Sequence, residues 1–137
     1  MSNFDGRLLN GAALAYLGDA TYEVAVRRHL LEQGQTRPND LHRLATNYVS
    51  ATAQAYLIDE MEAAEFLSDE EASYFKRGRN RQTYTKAKNA GHATYSRATG
   101  FEALIGYLDV TEQTDRLHEV LAWCLQTIDK KLEEEEG

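Results

Sequence analysis

Gly100-Phe101-Glu102-Ala103-Leu104-Ile105-Gly106-Tyr107-Leu108 is an apolar run with one acid and a glycine at each end of its central turn and a half. It reads as an apolar helical run carrying a single acid. A second run near the N-terminus, Leu14-Ala15-Tyr16-Leu17-Gly18-Asp19-Ala20, has the same character and also holds one acid. Gly18 adjoins Asp19, and Gly106 lies one turn after Glu102 on the same helical face. Glycine inside a helix costs about 1 kcal/mol relative to alanine, so paired glycines beside paired acids point to two helices that cross tightly. Such a crossing would bring together carboxylates 83 positions apart in the chain.

The helical period extends over the remaining chain. Leu14, Leu17, Tyr22, Val24, Val26 and Leu30 form an apolar pattern that stops at Gly34. Arg37-Pro38-Asn39-Asp40 reads as a turn before a short helix whose Leu41, Leu44, Ala45 and Tyr48 share a face. Ser50 is a good N-cap for a helix packing Ala53, Leu57 and Met61, and Ser68 with Glu71 has capping-box spacing for a helix carrying Tyr74 and Phe75. Residues 78–91 read as an exposed basic loop, with a helix resuming near Thr94. Thr111 reads as the cap of a last helix with Leu117, Val120, Leu121, Leu125 and Ile128 on one face. Glu133 to Glu136 read as a frayed acidic tail. No stretch has a convincing strand pattern. The class is therefore all-α, as one domain over residues 1–137.

Charge is distributed unevenly. From Ser73 to Phe101 there are seven bases (Lys76, Arg77, Arg79, Arg81, Lys86, Lys88 and Arg97) and no acid, while the whole chain carries −7. A concentrated basic strip on an acidic protein is the electrostatic footprint of a phosphate backbone. No apolar run is long enough to span a membrane, and the N-terminus lacks the pattern of a secretory signal. The single cysteine, Cys124, falls on an apolar helical face and reads as a small buried hydrophobe. A cytoplasmic location is expected.

Magnesium takes hard oxygen ligands, often one or two carboxylates, with water and phosphate completing the shell. Asp19 and Glu102 are candidates for that role, and Glu23, one turn after Asp19, for a further or supporting ligand. Spacing alone leaves several readings open. A lone acid on a helix is commonly solvated, and a basic run is commonly a solvated loop. Glu62 with Glu65, and Glu112 with Asp115, offer acid pairs of the kind an all-α nucleotide pyrophosphatase uses. A non-catalytic helical RNA-binding protein and a structural ribosome-associated factor also fit the charge pattern.

Leu17-Gly18-Asp19-Ala20 and Gly100 to Leu108 resemble the two motifs of the ribonuclease III catalytic domain. The closer resemblance is to the Mini-ribonuclease III family, which lacks the double-stranded-RNA-binding domain. Arg37-Pro38-Asn39-Asp40-Leu41-His42, Tyr48-Val49-Ser50-Ala51, Lys76-Arg77-Gly78-Arg79-Asn80 and Lys88-Asn89 fit it in order. The resemblance implies an all-helical homodimer of about six to seven helices per subunit. It implies magnesium-dependent cleavage of double-stranded RNA to 5′-phosphate and 3′-hydroxyl ends, in maturation of the 23S ribosomal RNA precursor. Asp19 and Glu102 match the catalytic metal ligands, and Tyr16 matches an aromatic that lodges in the partner subunit. Lys76, Arg77, Arg79, Asn80, Arg81, Lys86, Lys88 and Asn89 are the expected RNA contacts. Two positions depart from the larger enzymes: Ala15 and Thr99 stand where those carry acids.

Overall fold

The structure is a computed structural model that describes residues 4–80 and 90–136. Among these residues there are six α-helices, one short 3-10 turn at Gly6–Leu8, and no strand. The helices are α1 (Gly11–Glu32), α2 (Pro38–Val49), α3 (Ala51–Ala63), α4 (Asp69–Arg79), α5 (Ala90–Val110) and α6 (Thr114–Glu136).

Helix α5 is the axis of the domain. Phe101, Ala103, Leu104, Ile105, Tyr107 and Leu108 are all buried, so nearly every face of this helix meets protein. Helices α1, α4 and α3 supply most of that cover, and α6 adds to it. The core continues through Leu14, Tyr22, Val26, Leu57, Ile58, Met61, Val120 and Ile128. Burying each large side chain contributes about 1.5–3 kcal/mol, which offsets the entropy of ordering the helices. Tyr22 meets Phe101 edge-on at 4.9 Å, and its hydroxyl donates to the Tyr48 carbonyl at 2.9 Å, so a buried phenol is satisfied across α1 and α2.

Local signals place most of the boundaries. Asn10 caps α1 by accepting from the Ala13 N–H, and Ser50 caps α3 by accepting from Ala53. Ser68 and Glu71 form the expected reciprocal capping box at α4. Glu71 has a further role. Buried at the start of α4, it accepts two hydrogen bonds of 2.8 Å from Arg116 on α6, and Arg116 also donates to the Phe66 carbonyl. Burial alone would raise the Glu71 carboxyl, but the Arg116 and Ser68 hydrogen bonds outweigh it and hold the group below its ordinary range.

Four expectations need correction. Pro38 is the first residue of α2, not part of a preceding turn, because its fixed φ and missing N–H suit a helix start. Gly78 and Arg79 belong to α4, and Gly91 belongs to α5, which begins before Thr94. Thr111 does not cap α6. Its hydroxyl and N–H both reach back to the Tyr107 carbonyl, and Glu112 at φ 58° turns the chain before α6 starts at Thr114. The acidic stretch 133–136 continues α6 as helix, with Lys131 paired to Glu135 at 2.7 Å.

Gly18 and Gly106 fit backbone to backbone. A Cβ at Gly18 would lie 1.7 Å from the Glu102 carbonyl oxygen, and one at Gly106 would lie 1.9 Å from that of Leu14. Neither obstacle is a flexible side chain, so a methyl group forces the helices apart. Gly18→Ala and Gly106→Ala should each destabilise the protein by about 3 kcal/mol or more. Urea unfolding measures this; a destabilisation under about 0.5 kcal/mol would contradict the tight crossing.

Candidate active site

The close crossing sets where the two motif acids emerge. Residues 14–18 of α1 lie directly on residues 102–106 of α5, with the backbone of each helix in the notch left by the other's glycine. Asp19 follows Gly18 and is exposed, whereas Glu102 is half-buried. Glu102 Oε2 accepts from the side-chain amide of Gln54 at 3.4 Å. Both are carboxylates rooted near one crossing, and hard oxygens of that kind suit a small divalent cation whose remaining positions go to water and phosphate. No group of three or more His, Cys, Asp or Glu side chains converges on a metal position among the described residues. The two candidate donors are carboxylates, the hard oxygen chemistry that magnesium takes.

Neighbouring residues explain why only two acids stand here. Ala15 and Thr99, at the positions where the sequence departs from the larger enzymes, are 6% and 5% exposed. Both are packing positions, and the Thr99 hydroxyl donates to the Tyr95 carbonyl. Glu23 holds Arg27 in an ion pair of 3.2 Å beside the groove between α1 and α2. The alternative acid pairs have other surroundings. Glu65 and Glu112 occupy turns with left-handed backbone, and Glu62 is engaged with Arg97.

The basic end of α4 is anchored to the same junction. A Cβ at Gly78 would lie 2.5 Å from that of Ala103 and 2.9 Å from the Thr99 carbonyl. A Cβ at Gly11 would lie 2.5 Å from the Arg77 carbonyl. Lys76, Arg77, Arg79 and Asn80 thus leave α4 where it presses on α1 and on the turn of α5 that carries Glu102. Their surroundings differ. Lys76 is exposed. Arg79 lies over the Phe75 ring and donates to Asn80 at 3.1 Å. Arg77 stacks on Tyr74 and donates to the carbonyls of Arg7 and Leu9, pinning the N-terminal segment. Arg97 turns inward to Asp59 and Glu62 on α3, so it links helices rather than extending the basic strip. Arg81, Lys86, Lys88 and Asn89 lie outside the described residues.

Tyr16 is 86% exposed on α1. It heads a stripe continued one and two turns later by Ala20 and Val24, the latter 58% exposed although its pattern suggested core. The stripe borders an open groove of about 590 Å³ between α1 and α6, lined by Val24, Ala25, Leu117, His118, Leu121 and Leu125. No helix of the described residues is long and apolar enough to cross a membrane. Among the described residues, Gln54 is a polar side chain at the site that sequence reasoning missed. A lone amide inside the apolar run Ala53-Gln54-Ala55-Tyr56-Leu57-Ile58 was the available signal.

Comparison with known proteins identifies the family. The Ribonuclease III domain family matches residues 12–113. Mini-ribonuclease 3 of Enterococcus faecalis is 54% identical over 124 residues, covering 90% of this chain and 94% of that protein. Mini-ribonuclease 3 of Streptococcus pneumoniae is 50% identical over 125 residues, covering 91% and 98%. A crystal structure of a Fusobacterium nucleatum protein superposes with a TM-score of 0.73 at 25% identity, over 88% of this chain and 95% of that one. With a family match over most of its length and relatives this similar, the chain belongs to the ribonuclease III domain family, in its Mini-ribonuclease 3 branch, and is an endoribonuclease.

Proposed function

We propose that this endoribonuclease cleaves double-stranded RNA with magnesium as cofactor, leaving 5′-phosphate and 3′-hydroxyl ends, and that its task is maturation of the 23S ribosomal RNA precursor in the cytoplasm. The observation that carries this reading is the glycine-paired crossing of α1 and α5, which roots Asp19 and Glu102 together beside the basic end of α4. In this reading the two carboxylates hold the cation. When bound, magnesium supplies an acidified water and neutralises charge on the phosphoryl oxygens.

The protein's own residues then bind and orient. Duplex RNA offers phosphates and 2′-hydroxyls across a shallow minor groove, and flexible cationic side chains with amide donors suit those groups. Lys76, Arg79 and Asn80 at the end of α4, with Arg81, Lys86, Lys88 and Asn89 beyond it, provide that chemistry, and Arg77 secures the base of the strip. No side-chain nucleophile takes part. The Ser50 hydroxyl is the cap of α3, and Cys124 is fully buried in α6, where burial raises its thiol far above the usual range.

The same reading makes the active form a homodimer. Tyr16 and the stripe below it expose apolar surface next to an open groove, which a second copy would cover. Sedimentation should give a particle of twice the 15.5 kDa chain mass.

Asp19→Asn and Glu102→Gln should each lower the cleavage rate of a defined RNA duplex by about 10³-fold or more. Circular dichroism and metal-free duplex binding should stay near those of the parent. Near-normal cleavage by either purified variant would remove that acid from the site. Substituting Lys76 and Arg79 together by glutamine should weaken duplex binding and make the salt dependence shallower, by about one log–log unit for each phosphate no longer neutralised. An unchanged slope would place the end of α4 away from the RNA.

A further inference from the structure

Gln54 is 2% exposed, and it sits on α3, a helix that carries none of the family motif acids. Its side-chain nitrogen has two hydrogens and two acceptors in reach. One is the Val49 carbonyl at 3.3 Å, and the other is Glu102 Oε2 at 3.4 Å. Val49 is the last residue of α2, where a helix leaves carbonyls without intrahelical partners. A carbonyl and a carboxylate both accept, so only the NH₂ end of the amide can face them, and the orientation of Gln54 is determined. The amide group is therefore fixed at its back by the α2–α3 corner and directed at one oxygen of Glu102. Ala15 and Thr99, buried around the same crossing, bring no charge to that carboxylate.

We propose that Gln54 is a positioning residue of the cleavage site: its anchored amide holds Glu102 Oε2 and so presents the other carboxylate oxygen in a defined direction for the cation. This rests on the reading that Glu102 is a metal ligand. The reason for such a group is entropic. A glutamate has three rotatable bonds, and a fixed donor on one carboxylate oxygen narrows the orientations the other can take. Groups that orient a ligand typically change metal affinity by roughly 10–100-fold when removed. A Gln54 that only fills the corner between α2 and α3 would affect stability and leave metal affinity alone.

The test uses the intact protein and two readouts. Gln54→Met keeps the side-chain length and removes both hydrogens. Single-turnover cleavage of a pre-bound duplex should then need roughly 10–100-fold more Mg²⁺ for half its maximal rate, with the KM for RNA unchanged. In the ¹⁵N-labelled parent protein, the side-chain NH₂ pair of Gln54 should move on Glu102→Gln substitution and on Mg²⁺ addition to the RNA complex. That measurement needs no Gln54 variant, so it decides the matter even if Gln54→Met folds poorly. An NH₂ pair that stays still in both cases overturns the proposal, as does a folded Gln54→Met with the parent's Mg²⁺ requirement. Failure of the underlying reading looks different: Glu102→Gln would itself still cleave.

Discussion

The domain is organised around one steric constraint, the absence of side chains where α1 and α5 touch. Gly18 receives the Glu102 carbonyl and Gly106 receives that of Leu14, each at a distance no Cβ could tolerate. The destabilisation that glycine brings to a helix interior is offset by the burial that a close approach allows. The same contact decides chemistry. Asp19 is next to one glycine and Glu102 is one turn from the other, so the tight packing brings together the backbone segments that carry them.

The constraint spreads outward to the basic side. Gly78 and Gly11 bring α4 against the same two helices, and Arg77 fastens the N-terminal segment to the end of α4. Lys76 and Arg79 therefore stand on a helix packed against the two that carry the acids. Arg97 shows that position in a basic strip does not determine role, because its ion pairs to Asp59 and Glu62 make it a brace between α5 and α3.

Features that depend on neighbours in the chain were legible in the sequence. The caps at Ser50 and Ser68 involve contacts within three residues, and both form as the residue types suggest. The α1–α5 crossing was legible because glycines inside apolar helical runs are costly and so require a partner. What escaped was set by distant contacts. Gly78 reads as a loop opener until α5 is beside it. Thr111 is a good cap by type, and only the left-handed turn at Glu112, which carries the chain on to an α6 start at Thr114, rules it out. Val24 has a core residue's chemistry on an outward face. Gln54 has its meaning through Glu102, 48 positions away, which no local pattern reveals.

Cys124 has a practical consequence. It is the chain's only thiol, it is fully buried, and its environment disfavours the thiolate that alkylating and oxidising reagents attack. Burial thus shields this thiol from disulfide exchange and from maleimide in the folded protein. A single cysteine introduced on the surface would take one fluorophore or spin label at one known place, with no need to strip the native residue from the core.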